Sequence, residues 1–143
     1  AGFVTPRANL DRLQRQLQEI AARELADVDL RPVLNIDAVL PLASLGRETY
    51  KAVSMLAPFG QGNQAPVFLS EKGKVVDSRT VGGSGKHLKL KLRDGKAIWD
   101  AIAFDLGDRE LSTYLDIVYN LETDYWNGRE QLRLNILDFL PLA

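Results

Sequence analysis

From Lys86 to Arg93 the chain alternates without a break, so that Leu88, Leu90 and Leu92 share one side of an extended strand while His87, Lys89, Lys91 and Arg93 share the other. One face suits a core and the other presents charge. Lysines on the wet side of a strand ordinarily do no more than solvate it and discourage edge pairing. Here the local charge balance favours the alternative, a surface that grips a polyanion. Between Lys72 and Lys96 stand 8 of the 18 Lys and Arg but only 2 of the 19 acids, Asp77 and Asp94, so the formal net charge of −1 hides a polar molecule. A basic patch confined to one stretch of an acidic body points to a single oriented groove for a polyanion rather than to indiscriminate adhesion.

The surrounding texture predicts where that strand sits. After Gly60 the helical spacing of the first part gives way to strands bounded by glycine turns, which marks a candidate domain boundary. Strands are expected over Val67–Ser70, Lys74–Gly82, Lys86–Arg93, Lys96–Asp105, Asp116–Tyr125 and Glu130–Phe139, with a short helix over Arg109–Leu115. Before Gly60, Asn9 precedes Leu10, Leu13, Leu17, Ile20 and Ala21 as the N-cap of a helix reaching Ala26. A short strand follows over Val33–Leu40. A second helix runs from Leu42 or Ser44 to Leu56, with Leu45, Val53 and Leu56 on its buried side and Pro58 stopping it. The fold class expected is α+β: N-terminal helices followed by a five- to six-stranded β-barrel of the oligonucleotide-binding (OB) type with a short helix, which fits these lengths better than an open sandwich.

At 143 residues, 45% hydrophobic and 26% charged, the chain can bury a core and holds one domain and part of another. No apolar run approaches the ~20 residues that span a bilayer, and the start lacks a secretory series, so a cytoplasmic protein with no membrane partner is expected. The beginning Ala1-Gly2-Phe3 is explained either by methionine removal or by cutting from a longer protein. Cysteine is absent, which removes disulfides, thiolate chemistry and cysteine-based metal sites.

Catalytic signals are weak. Gly82-Gly83-Ser84-Gly85-Lys86-His87 resembles a phosphate-binding loop only superficially, because Thr80 stands where that loop needs glycine and His87 where it needs Ser or Thr. It also joins two strands instead of opening a helix. His87 is the sole histidine, and the acids are scattered; Asp100 and Asp105 read as solvated carboxylates. No catalytic residue, metal ligand or cofactor is assigned within the chain. The aromatic residues suit base stacking better. Alternation over Lys96–Asp105 puts Ile98, Ile102 and Phe104 inward and Trp99 outward as a candidate platform, against the alternative that it packs. Asn127-Gly128 suits a two-residue hairpin turn that carries Trp126 at its tip, as a second platform or as a cover for the barrel end, with Arg129 and Arg133 free for phosphate.

Pro58-Phe59-Gly60-Gln61-Gly62-Asn63 with Pro66 and Phe68, then Val81-Gly82, Lys86-His87-Leu88-Lys89-Leu90, Ala101-Ile102-Ala103-Phe104, and Trp126-Asn127-Gly128 followed by Leu132, Leu134 and Asp138-Phe139, together resemble the C-terminal part of the RecJ single-strand-specific DNA exonucleases. The resemblance covers nearly the whole chain, departing at Gln64, where the family usually has proline. It implies residues 1–40 as the tail of a preceding DHHA1-type domain, 41–60 as a connecting helix and glycine turn, and 61–143 as an OB-fold barrel. It further implies a parent hydrolase that degrades single-stranded DNA from the 5′ end in recombination and repair, using Mg²⁺ or Mn²⁺ held by an upstream domain. Single-stranded DNA and the upstream catalytic domains are the implied partners; a single-strand-binding protein, through its acidic tail, is the partner under a rival reading.

The chain itself is then expected to bind and not to cut. Lys86, His87, Lys89, Lys91 and Arg93 form the electrostatic track, Arg79, Arg129 and Arg133 flank it, and Trp99 and Trp126 stack on bases. The rival readings are a protein-interaction barrel for an acidic tail and an enzyme in its own right.

Overall fold

The computed structural model describes residues 2–126 and 129–143, with side chains described at all of these except 125, 126, 129 and 130. The chain divides into two compact units, Ala1–Leu34 and Asn35–Ala143, so that Gly60 lies inside the second. In the first, helix α1 spans Leu10–Glu24, two residues short of its expected end. Asn9 stands at its N-cap position but makes no side-chain capping bond. A 3₁₀ turn over Arg7–Asn9 precedes the helix, and the Asn9 N–H donates to Pro6 O at 2.9 Å, so the backbone is already helical where a side-chain cap requires it extended. No residue of α1 is buried.

The second unit is a closed barrel. Strands β2 (Phe68–Val81), β3 (His87–Asp94), β4 (Ala97–Ala103), β5 (Tyr114–Trp126) and β6 (Arg129–Leu142) are preceded by a two-residue strand, β1 (Ala38–Val39), that pairs parallel to the start of β2. Around the barrel the order is β2-β3-β4-β6-β5, closed by antiparallel pairing of β5 with β2, and β4 lies parallel to β6. Closure leaves the five barrel strands no free ladder along their paired lengths. The two expected strands at 67–70 and 74–82 are one, bent at Lys72, whose φ is +56° and whose N–H donates to Asp116 Oδ1 at 2.8 Å. The bend lets the first half of β2 pair with β5 and the second half with β3.

Inside, Leu88, Leu90, Leu92, Leu115, Ile117, Tyr119, Leu134, Ile136 and Phe139 make the core. Leu42 and Leu45 join that core from the segment before β2. The strand expected over Val33–Leu40 shrinks to β1, and the second helix, α2 (Arg47–Ser54), starts late because Leu42–Ser44 is a 3₁₀ turn whose Leu42 packs 3.1 Å from where a side chain on Gly73 would begin. Val53 is half-buried against the core, but Leu56 is exposed. The Ser70 hydroxyl donates to Leu40 O, so its oxygen is left to accept from the Tyr119 hydroxyl at 2.9 Å, which ties β1's segment, β2 and β5 together in the interior. Burial pushes the Tyr119 phenol above its ordinary pKa, with the Ser70 bond pulling the other way.

The short helix expected over Arg109–Leu115 does not form. Residues 104–113 run as turns and bends, the Arg109 guanidinium donates to Asp138 Oδ1 (3.1 Å) and Phe139 O (2.8 Å), and Leu115, fully buried, already belongs to β5. Anchoring both ends of the segment to different strands outweighs its modest helical preference. At its near end Gly107 donates to Lys86 O at 2.8 Å, an approach so close that a Cβ there would meet Gly85 O. That glycine therefore fixes the β2–β3 loop against the β4–β5 connection. No helix among the described residues is long and apolar enough to cross a membrane.

Candidate nucleic-acid interface

β3 follows its alternation: Leu88, Leu90 and Leu92 are buried while Lys89, Lys91 and Arg93 are exposed on the outer surface. Antiparallel register sets Arg79 of β2 directly opposite Lys89, and Asp77 opposite Lys91. On the other side β4 sets Ile102 opposite Lys89, Asp100 opposite Lys91 and Ile98 opposite Arg93. Residues opposed across a ladder project to the same face, so one outer surface carries all of these side chains.

A groove of about 230 Å³ opens on that surface, lined by Asp77 and Arg79 from β2, Lys89 and Lys91 from β3, Asp100 from β4, Asp124 from β5, and Gln131 and Arg133 from β6. Four of the ten predicted binding residues thus converge from three strands. They are not equivalent. Arg133 is held by Asp124 (Nη1–Oδ2, 2.8 Å) and Glu122 (Nη2–Oε2, 3.4 Å), and Glu122 is itself oriented by Asn135 Nδ2 at 2.8 Å. Its side chain is only 24% exposed, and its Nε is buried without a partner among the described residues. Lys91 sits 3.5 Å from Asp100 across the ladder. Arg79 and Lys89 have no carboxylate within ion-pair distance among the described residues.

The remaining predicted residues lie elsewhere. Lys86 borders a separate depression with Ser84, Gly85, Asp105 and Asp108. His87 is half-buried: its Nδ1 accepts from Asp105 N–H at 3.1 Å, its ring meets Phe104 edge-on at 5.2 Å between centroids, and it lies over Gly82, where a Cβ would come 3.1 Å from the imidazole. Arg93 is exposed at the far end of β3, opposite Lys74 and Ile98, outside the groove. The side chains of Trp126 and Arg129 lie outside the described residues.

Trp99 is not the outward platform expected. The faces of β4 are inverted relative to the expectation: Trp99 turns inward against the core and its indole N–H donates to Leu42 O at 2.9 Å, whereas Ile98 is 59% and Phe104 51% exposed. Ile102 is buried, but on the outer face opposite Lys89. Phe104, expected inward, is thus an exposed ring that follows the last β3–β4 pair, Leu88–Ala103, and meets His87. No three His, Asp or Glu side chains converge among the described residues, so the donor set described does not fit a bound metal ion.

The sequence matches the RecJ OB domain family over residues 36–138. Similarity extends to the single-stranded-DNA-specific exonuclease RecJ of Bacillus subtilis (strain 168), which is 28% identical over 142 residues, 96% of this chain and 18% of that protein. Among solved structures, RecJ from Thermus thermophilus in complex with Mn²⁺ superposes with a TM-score of 0.73 at 24% identity, covering 99% of this chain and 20% of that one. The same organism's RecJ in complex with Mg²⁺ gives 0.70 at 25% identity, covering 99% and 22%. The chain spans about a fifth of the length of these relatives.

Proposed function

We propose, from the premise that this chain belongs to the RecJ OB domain family, that its barrel holds single-stranded DNA in the groove between β2, β3 and β6. The convergence of Arg79, Lys89, Lys91 and Arg133 on one outer surface carries this reading. The groove crosses β3 and β4, the second and third strands of the barrel, which is where OB folds take oligonucleotides. Arg79 and Lys89 grip phosphate first. Lys91 and Arg133 then exchange their carboxylate partners for phosphate oxygens, and the acids keep the unloaded groove from attracting every anion. The wider role is to hold the strand for a RecJ-type 5′→3′ exonuclease of recombination and repair whose Mg²⁺- or Mn²⁺-dependent chemistry lies in the rest of the relatives' length.

The experiment is a salt titration of binding to matched single- and double-stranded oligonucleotides. Log affinity for the single strand is expected to fall with log salt at a slope of about −0.7 per phosphate neutralised, and Lys89→Ala is expected to make that slope shallower by one such increment while the domain stays folded. Binding that ignores salt removes the groove. Equal affinity for an acidic peptide without bases makes the barrel a protein-docking module instead.

A further inference from the structure

We infer that Phe104 is a nucleobase-stacking platform, placed one strand step from Lys89 and held by the His87 ring. The inference rests on the single-strand reading above and adds a base-binding subsite beside the charged groove, whose lining does not include Phe104. Three observations carry it. Single exposed apolar side chains are common on protein surfaces, but this one is an aromatic ring, 51% exposed, packed on a residue of the strand that carries Lys89. The β3–β4 ladder ends at Leu88 opposite Ala103, and the next residue, Phe104, opens the turn after β4 with its ring 5.2 Å from that of His87, two residues from Lys89 along β3. A strand whose phosphate is gripped by Lys89 and Arg79 therefore has the Phe104 ring within reach of an adjoining base.

The ring is also braced. The edge-on contact with His87 at 5.2 Å and 73° is a favoured aromatic arrangement, and His87 is fixed in turn by the Asp105 N–H at 3.1 Å and by its bed on Gly82. A preorganised ring loses less freedom on binding than a mobile one. The partner chemistry is a planar base taken without hydrogen-bond readout, hence with little sequence preference.

The test uses the full 143-residue chain, a single-stranded oligothymidylate and a backbone of equal length carrying abasic sites in place of bases. Phe104→Leu is expected to weaken oligothymidylate binding about five-fold or more, to leave the salt slope unchanged and to leave the weaker abasic backbone unaffected. Phe104→Trp restores or exceeds the parent affinity. Loss by Phe104→Leu of equal size on both oligonucleotides, no loss on either, or unfolding of that variant overturns the platform, since a ring facing water carries no fold. If the parent chain binds neither oligonucleotide, the groove falls as well; if it binds with the expected salt slope and Phe104→Leu changes nothing, the platform alone falls.

Discussion

β3 and β4 lie side by side on one hydrogen-bonded ladder, yet they divide their side chains by different rules. β3 sends Leu88, Leu90 and Leu92 into the barrel, and β4 answers with Ala103, Ala101 and Trp99 directly opposite. Large meets small twice, and at the third pair Trp99 is accommodated by reaching the end of the barrel, where Leu42 O accepts its indole proton. A small barrel has room for one set of bulky side chains per layer, and interiors of this kind alternate small and large residues. Because β3 supplies the bulk, Ile98 of β4 and Phe104 just beyond its end remain outside, and that displacement puts apolar and aromatic surface on the exterior. The character of the outer surface is in part a by-product of how the interior is shared.

The largest expected effect comes from removing bulk on the side that supplies it. Leu92 is fully buried, so Leu92→Ala is expected to cost about 2 to 5 kcal/mol of stability in denaturant unfolding, through lost transfer energy and the cavity left behind. Trp99→Ala follows at about 2 to 4 kcal/mol, because the residue is half-buried against the core and its removal takes one of two hydrogen bonds from Leu42 O, which keeps the Leu45 N–H. Its binding per folded molecule stays at the parent level, and a folded Trp99→Ala with reduced affinity would return that ring to the groove. Adding bulk where the interior has allotted none sharpens the contrast: Ala101→Leu is expected to destabilise by about 1 to 3 kcal/mol through overpacking against Leu90. Ile98→Gln is the smallest, within about 0.5 kcal/mol, since the side chain is exposed. A large loss there would mean that the two faces of β4 have been exchanged.

The sequence by itself determined the faces of β3, the order of the segments that build the barrel and the concentration of positive charge, because a period of two and a local charge count need no knowledge of what lies opposite. It also contained the small-for-large exchange at Ala101 and Ala103, but in a form readable only once Leu90 and Leu88 are known to face them. What lies opposite was decided by the tertiary structure. Closure of β5 onto β2 bent one long strand at Lys72 where two were expected, and the anchoring of Arg109 to β6 replaced an expected helix with turns. Residues distant along the chain likewise determined the groove: Glu122 and Asp124 of β5 draw Arg133 partly inward, and Leu42, far upstream, takes Trp99 out of the solvent. Local periodicity tells a strand that it has two faces; which face is inside depends on the volume and hydrogen-bonding groups that other strands bring to the same space.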